Sequence, residues 1–329
     1  MPPRIGLSAY SFPWRCGYAG AGTERVCTQP LGADDLVRLA SSHGLGSAEI
    51  PISMLPDDPA RLRALRARAE AAGMQLALDL AVPEVADLER AIPLAASLGA
   101  RVLRVMISTT LEGARAQIPG GWDAQLALII ERLRQTQPLA AQHDVIVAPE
   151  NHQDMTLADM LHLCDAVGGD HIGITLDAVN PLAVGEEPLR TARALGHRIA
   201  NVHLKDYRIF PSSSGYRLVR CAIGDGVLDV PGLFAILAEQ APRATCHIEL
   251  AAIQARHIRL LEDDWWHGFG PRDAREILPA LRLVMLHVRP ADEDWRTPWE
   301  RGANAEALGR YETEQLEQTA AYLRTIGAL

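Results

Sequence analysis

Eight times along the chain a short run of β-branched and apolar residues precedes a longer amphipathic stretch, and this rhythm restricts the fold more than any other feature. The runs fall at 5–10, 47–50, 75–80, 102–107, 145–149, 172–176, 199–204 and 245–250. Helix-sized segments rich in Ala, Leu, Arg and Glu lie between them, as at 59–72, 85–98, 124–142 and 157–167. Gly44, Gly73 and Gly99 stand where such segments should close in a left-handed residue. Eight βα units predict a single (βα)8 barrel of the TIM type, an α/β fold with a closed parallel sheet. An open doubly wound sheet would want a Gly-x-Gly-x-x-Gly turn after strand one, where residues 8–14 read Ser-Ala-Tyr-Ser-Phe-Pro-Trp. The barrel is expected to span 1–289, its eighth helix running over about 272–288. Residues 290–329 form a C-terminal extension, a polar linker and then a helical pattern from about 304 to 325. That helix is expected either to pack on the barrel wall or to join two copies as a homo-oligomer.

A length of 329 residues suits one such barrel. With 48% apolar and 22% charged residues and a mean hydropathy near zero, the composition is that of a soluble globular protein. Thirty-two basic against 41 acidic residues give a net charge of −9 with no Lys/Arg block, so no nucleic-acid partner is expected. No apolar run approaches the roughly 18 residues of a membrane span, and the first residues lack a signal-peptide pattern, so the expected location is cytoplasmic, with no membrane partner. Cys16, Cys27, Cys164, Cys221 and Cys246 contain no Cys-x-x-Cys pair and are read as free thiols.

The later strands end in metal-ligand chemistry. Val-Ile-Val-Ala-Pro leads to Glu150, Ile-Gly-Ile-Thr-Leu to Asp177, Ile-Ala-Asn-Val to His203, and Thr-Cys-His-Ile to Glu249. In a barrel these carboxyl ends converge on one mouth. Three carboxylates gathered there would repel one another, whereas a divalent ion makes the same cluster favourable. Glu150, Asp177, His203 and Glu249 are therefore the expected ligands of one divalent metal ion, Mn²⁺, Mg²⁺ or Zn²⁺.

Four motifs carry a family resemblance: Pro-Glu-Asn-His at 149–152, Leu-Asp-x-x-Asn at 176–180, His-Leu-Lys-Asp at 203–206 and Ile-Glu-Leu at 248–250. Across residues 5–288 the chain resembles the sugar (phosphate) isomerase/epimerase family of xylose-isomerase-like TIM barrels. The resemblance implies catalytic roles for Glu150 and Glu249, which in the epimerases bind the metal and exchange protons on opposite faces of the substrate carbon. It also implies that Arg220, four residues before Gly224-Asp-Gly226, contacts substrate. Asn180 departs from the pattern, standing where ketose 3-epimerases carry a His. The same departure, with the absence of a basic groove, argues against a DNA-repair endonuclease of this fold.

A divalent ion on a ketone and its neighbouring hydroxyl acidifies the hydrogen between them. The leading expectation is thus a metal-dependent isomerase or epimerase of a small carbohydrate-like substrate, working through a metal-held enediolate with two carboxylates as acid and base. A decarboxylase or dehydratase of an oxo sugar acid is the alternative from the same chemistry, and a non-catalytic carbohydrate-binding protein is the alternative from another class. His152, Lys205, Tyr10, Trp14 and Trp265 are candidate substrate contacts, with Glu49 a further polar strand end and His247 a core or supporting residue. Two long loops, 207–228 and 251–271, are expected to cover the mouth.

Overall fold

The computed structural model describes residues 2–250 and 253–329. Eight parallel strands, β1 (Arg4–Ser8), β2 (Ser47–Pro51), β3 (Gln75–Leu80), β4 (Val102–Val105), β5 (Ile146–Pro149), β6 (Ile174–Asp177), β7 (Ile199–Leu204) and a later one, β10 (Thr245–Ile248), form one sheet in the order β5-β4-β3-β2-β1-β10-β7-β6. Bridges between Val147 and Ile172 and between Glu150 and Thr175 bring β6 against β5, so the sheet curls into a nearly closed barrel. Helices α1 (Ala33–Ser42), α2 (Pro59–Ala71), α3 (Val85–Ser97), α4 (Trp122–His143), α5 (Leu157–Val167), α6 (Pro188–Leu195), α7 (Val230–Gln240) and α8 (Ala274–His287) alternate with the strands.

Local chemistry sets the helix ends. Asp58 accepts the Ala60 N–H ahead of Pro59 at the start of α2, and Thr156 and Asp159 form a reciprocal cap on α5. Gly44, Gly73 and Gly99 take the left-handed conformation just beyond α1, α2 and α3.

Each strand divides its two faces between oil and polarity. Leu7, Ile50, Leu78, Leu103, Val147, Leu176, Val202 and Ile248 are buried on the parity that meets the helices. The opposite parity carries Ser47, Glu49, Asp79, Arg104, Thr175, Asp177, Asn201, His203 and His247, all buried as well. This interior is crowded: a Cβ on Gly6 would lie 2.6 Å from the His247 ring and 2.7 Å from Ser47 Cβ, so only glycine fits between them.

The segment read as the first long loop is largely a hairpin, β8 (Asp206–Ser212) and β9 (Gly215–Cys221), joined to β11 (Arg256–Ile258) in a three-stranded antiparallel sheet. Its Ser-rich stretch is the hairpin turn, which explains why the sequence looked like a loop. Of the second segment, Ala251 and Ala252 lie outside the described residues, and the remainder contains β11. The last helix, α9 (Ala305–Thr325), lies against the barrel: Glu312 accepts the Trp14 and Arg15 N–H groups at 2.7 and 3.0 Å, and Thr319 Oγ1 accepts the Ile223 N–H at 3.0 Å. Among the described residues no helix is long and apolar enough to cross a membrane, and the five cysteines are free.

Candidate metal centre and substrate mouth

Register puts the candidate ligands side by side. Asp177 pairs with His203 and His203 with His247 across β6, β7 and β10, so alternate residues of three strands aim at one point. Each of Glu150, Asp177, His203 and Glu249 offers a ligand atom within 4.8 Å of the others, and all four are buried. His203 Nδ1 lies 3.0 Å from Glu150 Oε1 and 2.7 Å from Glu249 Oε2, while Nε2 meets Glu49 Oε1 at 2.8 Å. Nδ1 is thus the nitrogen turned toward the carboxylates. Glu49 fixes the ring from behind and is itself held by Asn201 Nδ2 at 2.8 Å. Asn201 Oδ1 continues to His247 Nδ1, and His247 Nε2 to Ser47 Oγ, each at 2.8 Å.

Three full-time cations balance part of the negative charge. Arg104 bridges Asp79 Oδ1 at 2.8 Å and Glu150 Oε2, Lys205 Nζ contacts Asp177 Oδ2 and Glu249 Oε1, the latter at 2.9 Å, and Arg220 reaches Glu249 Oε1 at 3.1 Å. Burial alone would raise the Glu150 and Glu249 pKa values. Arg104 and His203 pull the first well below the usual carboxylate range, as Lys205, His203 and Arg220 do the second. Burial pushes Asp177 up to about 7 against Lys205. The His203 imidazole is driven well above its ordinary value, against its burial, by Glu49, Glu249 and Glu150.

The donor set fits a divalent cation. Among the described residues, the five buried carboxylates Glu49, Asp79, Glu150, Asp177 and Glu249 form ion pairs with three permanent cations, Arg104, Lys205 and Arg220, and with His203. Asp177 Oδ1 is enclosed with no hydrogen-bond partner among the described residues. Three carboxylate oxygens and one imidazole nitrogen suit a borderline or hard ion.

Residues 37–264 match the family described as the xylose isomerase-like TIM barrel. The chain is a xylose isomerase-like TIM barrel. It is 29% identical over 235 residues, 70% of this chain and 78% of the relative, to the 3-oxo-isoapionate decarboxylase of Pectobacterium atrosepticum. Its fold is shared with the D-psicose 3-epimerase of Clostridium cellulolyticum (TM-score 0.61, 13% identity, 96% of this chain and 98% of that one). An L-ribulose 3-epimerase is similar at TM-score 0.58 and 16% identity, covering 99% and 97% of the two chains.

Within this xylose isomerase-like barrel the remaining candidates separate. The β8–β9 pairing sets Tyr207 opposite Arg220, and the guanidinium reaches the phenol oxygen at 3.2 Å. Tyr207 donates to Asn180 Oδ1 at 3.1 Å, and the Asn180 amide donates to Asp177 Oδ2, so the departing Asn belongs to the same network. Asp206 accepts the N–H groups of Tyr207, Gly224, Gly226 and Leu228, and the Gly224-Asp-Gly226 turn is wrapped around this carboxylate. His152 Nδ1 is enclosed without a partner among the described residues, and burial lowers its pKa to about 4. The Tyr10 ring lies 5.8 Å from the Arg104 guanidinium.

Two aromatics are placed elsewhere. Trp14 donates from Nε1 to the Arg25 carbonyl at 2.5 Å and packs beside Gly309 of α9. Trp265 is buried beside Gly113, donates to the Glu112 carbonyl at 2.7 Å and stacks on Phe269 at 4.7 Å. Each pins loops together through its indole N–H. Arg104, Asp79 and Tyr207 belong to the same hydrogen-bonded network and were not singled out from the sequence. The available signal was a lone charge on one parity of an otherwise apolar strand, as in Val-Leu-Arg-Val.

Proposed function

We propose that this chain is a divalent-metal-dependent decarboxylase of a 3-oxo sugar acid, with Glu150, Asp177, His203 and Glu249 as the metal ligands. The observation that carries this reading is that each of the two glutamates is paired with a fixed cation, Glu150 with Arg104 and Glu249 with Lys205 and Arg220. An epimerase needs Glu150 and Glu249 to remove a proton from carbon, yet Arg104 holds the first ionised, as Lys205 and Arg220 hold the second, which makes both weak bases. Loss of carbon dioxide requires no such base. The likeness to a relative named as a decarboxylase supports the same choice.

The bound ion would supply a Lewis acid for the substrate's oxo oxygen. When the bond between the carboxyl carbon and its neighbour breaks, the electron pair stays with the neighbour, which must then gain a proton. Lys205, fully buried between Asp177 and Glu249, holds a proton at Nζ for that carbon. Arg220 orients Glu249 and, through Tyr207, the Asn180 amide; Arg104 orients Glu150. Glu49 keeps His203 Nδ1 turned to the mouth.

A second reading, isomerase or epimerase, is favoured by one observation: Glu150 Oε1 and Glu249 Oε2 flank the same nitrogen, at 3.0 and 2.7 Å. Carbon dioxide release from 3-oxo sugar acids, with and without added Mn²⁺, Mg²⁺ or Zn²⁺, tests the choice. Release should depend on the ion, and Lys205→Met should slow it by roughly 10²–10⁴-fold while metal stays bound. Interconversion of ketoses with no carbon dioxide release from the acids would replace the first reading with the second.

A further inference from the structure

A cavity of about 700 Å³ is walled by the segment after β4 and the segment after β10. Ser108, Thr110, Gln117 and Gln254 line it with uncharged hydrogen-bonding groups, and Arg256 and Arg259 supply the positive charge. Arg256 lines this cavity and is close enough to Tyr207, Arg220, Glu112 and Glu249 to feel their charges. Its Nε is enclosed, and among the described residues it has no hydrogen-bond partner. Glu112, the neighbouring carboxylate, is otherwise engaged, accepting the His257 N–H at Oε1 at 3.0 Å.

The wall itself is fixed. Glu112 adopts a left-handed backbone at φ 61° and is tied three ways: its N–H donates to Gln153 Oε1 at 2.9 Å, its carbonyl accepts from Trp265, and its carboxylate caps the start of β11. A strained residue held this firmly belongs to a preformed wall. A guanidinium whose Nε is enclosed beside that wall without an acceptor can receive a carboxylate through two parallel N–H groups.

We propose that Arg256 is the specificity-determining residue of an anion subsite, and that the cavity takes a polyhydroxylated carboxylate, its charge on Arg256 and its hydroxyls on Ser108, Thr110, Gln117 and Gln254. This rests on the decarboxylase reading and narrows it, since neutral ketoses and polyols lack the group that Arg256 binds. The uncharged polar side chains of the lining suit the hydroxyls of such a chain, and Val82, Leu111, Ile118 and Pro119 beside them suit its carbon backbone.

Titration calorimetry on the full Mn²⁺-loaded chain tests the subsite with two inert probes, D-gluconate and the neutral polyol xylitol. Wild type should prefer gluconate. Arg256→Met should weaken gluconate by about 10–100-fold, the worth of a charge-assisted pair, and leave xylitol within about twofold. Arg256→Lys, which keeps the charge and loses the fork, should fall between. Both variants should unfold at the wild-type temperature, since Arg256 gives up no hydrogen bond among the described residues. Unchanged gluconate affinity in Arg256→Met, equal losses for both probes, or a wild type that binds the two alike would overturn the proposal. Gluconate bound through Arg256 by a protein that releases no carbon dioxide would keep the subsite and remove the decarboxylase. Carbon dioxide release with gluconate indifferent to Arg256 would do the reverse.

Discussion

Strands β1–β4 and strands β5, β6, β7 and β10 put different chemistry on the same inward parity. The later group ends in Glu150, Asp177, His203 and Glu249, the cluster that can share one ion. The earlier group contributes Ser47, Glu49, Asp79 and Arg104, none of them in that cluster, yet each linked to it by ion pairs and hydrogen bonds. The later half holds the candidate ligands together with Lys205 and Arg220, and the earlier half adds Arg104 on Glu150 and Glu49 on His203. The candidate ligand cluster is thus tied to residues far from it in sequence, among them charges at the middle of early strands.

Substitutions in the two halves should therefore fail differently. The largest effect belongs to the later half: Asp177→Ala should take bound metal from about one ion per chain to essentially none. Turnover should fall by at least the roughly 10²–10³-fold that one electrostatic contact is worth. Elemental analysis beside a rate assay checks this, and retained metal would remove Asp177 from the ligand set. In the earlier half, Arg104→Met strands Asp79 and Glu150 without their shared partner and should cost about 3–5 kcal/mol of folding stability, read from chemical denaturation. An unchanged midpoint would mean that the two carboxylates do not need it. Glu49→Gln keeps the shape behind His203 but weakens its hold, and metal affinity should drop about 10–100-fold in competition with a chelator. Loss of metal equal to that of Asp177→Ala would erase the distinction between the halves.

The last effect is one of pH and lies outside the ligand cluster. Burial raises the Asp154 pKa from 3.8 to about 7, against a hydrogen bond from Ser108 and the charge of Arg115. A carboxyl with a raised folded pKa contributes stability that is complete below the unfolded value and is lost as pH climbs through the folded one. Wild type should therefore lose stability relative to Asp154→Asn between about pH 4 and 7. Urea midpoints at pH 5 and pH 8 for the two proteins give the comparison, and parallel profiles would contradict it.

What could be read from sequence follows the same division. Strand positions came through because oil on one parity and helical periodicity between runs are local signals: 75–80 and 199–204 were placed as observed. The four candidate ligands stood out because each closes an apolar run. Arg104 and Asp79 did not, since each is a single polar residue inside a strand and gains meaning only from the other across β3 and β4. Tyr207 and Arg220 meet only because β8 and β9 pair, and a Ser-rich turn disguised that hairpin. Trp14 and Trp265 were candidate substrate contacts by residue type, and the structure packs them closely against Gly309 and Gly113. The pairing of Glu150 with Arg104 and of Glu249 with Lys205 and Arg220, on which the proposed decarboxylase rests, was likewise invisible before the strands were side by side.

The central claim is that the fixed cations make Glu150 and Glu249 holders of metal rather than movers of carbon-bound protons. Turnover of a 3-oxo sugar acid in deuterated water, followed by NMR together with carbon dioxide release, tests it most directly. The account predicts one deuterium in the product at the vacated carbon for each carbon dioxide released, with no exchange into unreacted substrate or into a ketose. Deuterium entering a ketose or the intact acid without carbon dioxide release would show that the glutamates do abstract protons from carbon, and would contradict it.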